Sequence, residues 1–155
     1  MAESLGEAAQ AHGVPFTPKD LADFVANMLE WPIFPDVEEL ARLRPRKIGV
    51  LSNMDSDLLQ ATIARFPVEM DLAISAESVQ GYKPGRAHFE AAVEQLGCPA
   101  SEICHCAFGV QYDIGPASAL GMKTVIVRRS PIPPSSKADA VVESLAELVE
   151  LISPW

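Results

Sequence analysis

No run in the 155 residues approaches the roughly 18 consecutive apolar side chains that a membrane-spanning helix needs, and the N-terminus shows no signal-peptide pattern. Basic residues are scarce. Twelve Lys and Arg stand against 21 Asp and Glu, a net charge of −9. Charge of that sign repels phosphate backbones and anionic lipid, which argues against nucleic acid and membrane as main partners. Cysteine is sparse too: Cys98, Cys104 and Cys106 are odd in number without paired spacing, so no disulfide framework is expected. Cys104-His105-Cys106 has the composition of a metal cluster. On a strand, however, the two thiols point to one face and His105 to the other, and no fourth ligand is in view. These thiols are expected to be core residues, with neither metal nor cofactor. A reducing cytoplasm is the expected location, and no internal repeat is visible.

What is present is a globular balance, 48% apolar and 21% charged. The length suits one domain with a sizeable core. Residues 3–12 and 18–29 read as helices, the second opening on a Thr17 cap followed by Pro18. A further helix is expected from near Pro35, with Leu40 and Leu43 on its inner face. A regular alternation follows: strand 47–52, helix 56–66, strand 71–76, helix 85–97, strand 103–108, helix 114–120 and strand 123–128. A proline-rich surface loop is expected over 128–139, then a short strand and a final helix with a Leu145, Leu148, Leu151 stripe. Strands alternating with helices predict an α/β fold, a parallel sheet covered on both faces.

Ligands of such sheets gather beyond the carboxyl ends of the strands. The residues there are Ser52 and Asn53, Ala76 and Glu77, Phe108 to Asp113, and Arg128 and Arg129. "KIGVLSNMDSD", residues 47–57, runs a buried strand into Ser52-Asn53 and a helix start. It reads either as an anion cradle, with the Ser52 hydroxyl, the Asn53 amide and the N-terminus of helix 56–66, or as an N-cap turn served by Ser-Asn and Asp55. In "GYKPGRAHFEAAVEQLG", Pro84 fixes the backbone direction of Lys83, which suits a lysine aimed into a cleft; a solvated surface lysine is the alternative. Asp113 stands where a strand gives way to a helix, as a cleft carboxylate, an N-cap, or both.

"VLSN", "GYKP" and "YDIGPASALGMKTV" occur in order at successive strand ends. Together they resemble the second, third and fourth motifs of the haloacid dehalogenase superfamily, and specifically of the type II 2-haloacid dehalogenases. The likeness runs from about Leu5 to Leu151. "LGEAAQAHGVPFTPKDLADFVANMLEWPIFPDVEELARL" is similar to the last cap helices of that family and the return into its core. The resemblance implies residual cap helices over 1–45 and a haloacid-dehalogenase-like, Rossmannoid core over 46–155. It implies that Ser52 and Asn53 hold a small carboxylate or phosphate, with Tyr82 and Tyr112 lining the same cleft. Lys83 would neutralise charge, and Asp113 would orient Lys83 or position water.

The family's chemistry begins with a strand ending in Asp-x-(Asp or Tyr)-Gly-Thr, whose first aspartate is the nucleophile. No stretch of the 155 residues matches it. Asp20, Asp23 and Asp36 fall in helices or turns, and Asp71 precedes a strand. The fourth motif also departs, with Phe108, Gly109, Val110 and Gln111 where the dehalogenase pattern has Ser and Asn. A second acid for magnesium, as in the phosphatase pattern, is absent, and Asp113 alone would bind a hard cation poorly. The expectation is a truncated dehalogenase-like protein that binds a small anion without hydrolysing it. The alternatives are a fragment of a complete hydrolase, or an isomerase, lyase or cyclase using Tyr82, Lys83, His105, Tyr112 or Asp113 for proton transfer. That first strand lies centrally in the family's sheet, so a rearranged sheet or a homodimer joined through the cap helices is also expected.

Overall fold

The computed structural model describes residues 2–129 and 138–155. Most of the expected proline-rich loop, 130–137, therefore lies outside the described residues. Helices α1 (Ala2–Ala11) and α2 (Pro18–Glu30) come first. The start of α2 is a reciprocal box: Asp20 N donates to Thr17 Oγ1, and Thr17 N donates to the Asp20 carboxylate.

Pro35–Leu43 winds as a 3-10 helix rather than an α-helix. Three residues per turn bring Val37, Leu40 and Leu43 into one line, and that line faces the core.

The alternation then runs β1 (Gly49–Ser52), α3 (Ser56–Ile63), β2 (Leu72–Ser75), α4 (Ala76–Val79), α5 (Ala87–Leu96), β3 (Cys104–Ala107), α6 (Gly115–Ala119), β4 (Lys123–Val127), β5 (Ala140–Val142) and α7 (Leu145–Ile152). Three details differ from the sequence reading. Helix α3 closes at Ile63 instead of 66. The short α4 was not expected; it starts at once after β2 because Ser75 and Ser78 cap each other's backbone N–H. A π-helical turn over Val110–Ile114 precedes α6, so Asp113 lies inside that turn and Ile114 takes the N-cap position. The N-cap reading of Asp113 is thereby corrected.

All strand pairs are parallel, but they form two sheets: β1 with β2, and β3-β4-β5. Ile48 turns both backbone groups toward Asp71, donating N–H to its carboxylate and accepting from its N–H, each at 2.7 Å. Alternation along the strand then leaves the backbone of Gly49 and Leu51 facing the other, open edge of β1. Likewise Ile103 O accepts from Lys123 N at 3.0 Å, which leaves the backbone of Cys104 and Cys106 on the open edge of β3.

Helices cover both faces. On one side Val37, Leu43, Val125, Val127, Leu148, Val149 and Ile152 form the larger core beneath α7 and the 3-10 helix. On the other, Phe89 of α5, Ala117 of α6 and Met122 are packed by Leu51, Val93 and Ile103. The site rests on this second, smaller core.

Gly49 tests the β1–β2 register directly. A Cβ there would lie 2.0 Å from Leu72 Cδ2 and 3.0 Å from Leu72 O, its register partner. Gly49→Ala should therefore lower stability by about 1–2 kcal/mol through crowding, seen as a reduced urea midpoint at unchanged slope.

Candidate functional site

The site is built around Lys83, whose backbone is clamped before its side chain does anything. Asn53, one residue past β1, accepts from Lys83 N at 2.7 Å and donates its amide to Lys83 O at 3.1 Å. Both ends of the Asn53 amide are thus spent on the loop that carries the lysine. From that anchor the Lys83 ammonium crosses to the open edge of β1, donating to Leu51 O at 2.9 Å, and to Asp113 Oδ1 at 2.6 Å. One cation joins the first sheet to the segment that follows β3. The pair is mostly buried, with side chains 12% and 14% exposed.

Asp113 is held from three sides. His105 Nε2 approaches the same Oδ1 at 3.5 Å, the limit of hydrogen-bond reach, and has no closer partner. Gly109 lets the carboxylate in: a Cβ at that position would stand 2.6 Å from Asp113 Oδ2. Burial works to raise the Asp113 carboxyl pKa, but His105 and the Lys83 ammonium outweigh it, and the net shift is downward. A carboxyl lowered on folding stabilises the fold above its unfolded pKa, and loses that contribution as pH falls through the folded value. Asp113→Asn should therefore flatten the decline in stability on acidification below about pH 4, read from urea midpoints across an acid series.

His88 and Phe89 support the cluster from α5. His88 is fully buried, and its Nε2 lies 3.0 Å from Ser52 O. A carbonyl only accepts, so Nε2 carries the proton and Nδ1 is left without a partner. Burial lowers the His88 pKa, with Lys83 adding to it, which keeps the ring neutral near pH 7. Phe89 meets His105 edge to face, centroids 5.1 Å apart.

The anion cradle expected at the start of α3 is differently occupied. Glu77, just past β2, accepts from Ser56 N at 2.9 Å, and Asp57 accepts from Leu58 N at 2.7 Å. Donors at the helix N-terminus are thus met by the chain's own carboxylates. The Ser52 hydroxyl accepts from Met54 N at 3.3 Å, a turn contact.

No family model matches the chain. The (S)-2-haloacid dehalogenase 4A of Burkholderia cepacia is 29% identical over 132 residues, 80% of this chain and 57% of that protein. The L-2-haloacid dehalogenase of Xanthobacter autotrophicus, solved with chloropropionic acid covalently bound, superposes with a TM-score of 0.84 at 24% identity, over 97% of this chain and 73% of that one. A further dehalogenase crystal structure gives 0.83 at 26% identity, over 97% and 70%. The chain is haloacid dehalogenase-like.

This dehalogenase-like chain spans 57% of the length of the curated relative it matches. A haloacid dehalogenase superfamily phosphatase from Thermococcus onnurineus also superposes, at a TM-score of 0.71 and 19% identity, over 93% of this chain and 68% of that one. Of the residues singled out from sequence, the fold brings Asn53, Lys83 and Asp113 into one hydrogen-bonded unit, with Ser52 beside it only as the chain neighbour of Asn53. Tyr82 and Tyr112 are 59% and 53% exposed and make no bond to that unit. Arg128 and Arg129 are drawn off to Glu143 and Asp36. Among the described residues no group of three or more His, Cys, Asp or Glu could hold a metal ion. None of the described helices is long and apolar enough to cross a membrane. Sequence reasoning placed Glu77 and Gly109 among the strand-end residues without a role for either, and did not single out His88. For His88 the signal was present in its helical spacing to Ala92, which puts both on the inner face of α5.

Proposed function

We propose that this dehalogenase-like chain binds a small carboxylate or phosphate at Lys83, with Ser52, Asn53, Tyr82 and Tyr112 around it. In this reading it does not hydrolyse that ligand by the carboxylate-ester route of its relatives. The observation that carries the reading is the state of the lysine. An ammonium has three donors, and two are committed to Leu51 O and Asp113. The third is left for an incoming anion. The only carboxylate paired with Lys83 among the described residues is Asp113, already held by lysine and histidine and pressed against Gly109. The 155 residues carry no Asp-x-(Asp or Tyr)-Gly-Thr stretch to supply another. Calorimetric titration with 2-chloropropionate and with inorganic phosphate tests the binding. Heat from either ligand that disappears in Lys83→Met supports it, and equal heats from both proteins overturn it.

A second reading is favoured by the open edges of β1 and β3. In it a strand from further residues, or from a second copy, pairs with both edges and completes a hydrolytic site. Helix α2 buries none of its residues, and Phe24 and Trp31 are 38% and 50% exposed. That face suits a homodimer, the assembly we assign to this cytoplasmic protein, with residues 1–45 as its residual cap. Sedimentation of wild type against Phe24→Asp separates dimer from monomer.

A further inference from the structure

Two thiols flank His105 in the chain but face away from the anion site. Cys104 and Cys106 stand on one face of β3, an edge strand of its sheet, with their sulfurs 3.5 Å apart. Both are free thiols, half-buried on the face of β3 that packs against the larger core, as the sequence leads one to expect. A disulfide does not suit them. Two residues along a strand rise about 6.6 Å, whereas a disulfide wants Cβ atoms roughly 3.5–4.5 Å apart. A bridge of one atom does fit. An atom bonded to two thiolates at about 2.3 Å holds them roughly 3.3–3.8 Å apart as its angle opens from about 90° to 109°.

The ligand count selects the class of atom. Zinc takes four ligands in a structural site, and among the described residues no third His, Cys, Asp or Glu joins the pair. Trivalent arsenic carrying one carbon substituent needs only two sulfurs. The geometry points to Cys104 and Cys106 as a dithiol site for an organoarsenic(III) compound, chelated on that face of β3. The reaction balances without an oxidant. The arsenic–oxygen bonds of R–As=O are replaced by two As–S bonds, both thiol protons leave with the oxygen as water, and arsenic stays trivalent. The hydrogen bond from Cys106, then nearby Lys123, holds the Cys104 thiol below its usual range against burial, which favours attack from that sulfur.

Phenylarsine oxide is the probe, and folded Cys98→Ser protein the first target, since it keeps only this pair. Intact mass should show one adduct per chain, formed with loss of one water. The adduct should survive excess monothiol and be stripped by 2,3-dimercaptopropanol. Unfolding in urea should weaken retention at least tenfold, because the strand no longer presets the sulfur spacing. Adding Cys104→Ser or Cys106→Ser should leave only an adduct that monothiol removes. No adduct on folded Cys98→Ser, retention no better than in urea, or a monothiol-resistant adduct in either double variant overturns the site. Should a double variant fail to fold, bimane labelling of Cys98→Ser decides: labelling falls after phenylarsine oxide if the site exists, and unchanged labelling overturns it.

Discussion

Lys83→Ala is expected to abolish anion binding and to lower stability by about 2–3 kcal/mol, because it leaves a mostly buried carboxylate without its cation. The loss has two sources. The Leu51 carbonyl on the open edge of β1 gives up its donor, and Asp113 is left with His105 alone at 3.5 Å. The Asp113 carboxyl, now held down by less and still buried, should titrate at higher pH than in wild type. A charge cycle separates pairing from burial. Lys83→Met and Asp113→Leu, made together, should cost less than the sum of the single changes, because no orphaned charge remains. Chemical denaturation measures the stability term, and titration with 2-chloropropionate the binding term. Additive losses would mean that the 2.6 Å contact contributes nothing to either state.

The second large effect belongs to Phe89, the largest side chain with no exposure. Its ring fills the smaller core with Ala117 and Met122, and its edge contact keeps His105 in place beneath Asp113. Phe89→Ala should cost about 3–5 kcal/mol through lost burial and the cavity left behind. For a chain of this size that corresponds to a thermal midpoint lower by roughly 8–15 °C, read by calorimetry or circular dichroism. Phe89→Leu, which keeps most of the volume, should recover more than half of the loss. Recovery by leucine without recovery of anion binding would show that the aromatic edge positions His105 beyond filling space.

The order of elements was legible because apolar runs bounded by caps leave little choice: Thr17-Pro18 starts α2 at the expected residue. The sheet is split because no described strand pairs with the second edge of β1 or of β3; the bonds at Ile48 and Ile103 show which residues face those open edges. The 3-10 winding of 35–43 was written in the spacing of Val37, Leu40 and Leu43, although α-helical periodicity is the usual first assumption. Lys83 and Asp113 were separate local signals; their pairing, a contact across 30 residues, was expected only through the family resemblance, because no local pattern encodes it. Glu77 at the N-terminus of α3 is the same kind of miss. An acid 21 residues downstream fills the donors that Ser52-Asn53 advertise to an outside anion. Gly109 reads as a departure from the family motif, yet in the fold it is the gap that admits the Asp113 carboxylate.

Chloride release from 2-chloropropionate, followed over many turnovers at concentrations where calorimetry finds the ligand bound, separates a binder from a hydrolase. A non-hydrolytic binder keeps free chloride at the level of a protein-free blank while Lys83→Met loses the bound ligand. Steady chloride release by wild type that vanishes in Lys83→Met would mean that a carboxylate is attacking the ligand after all.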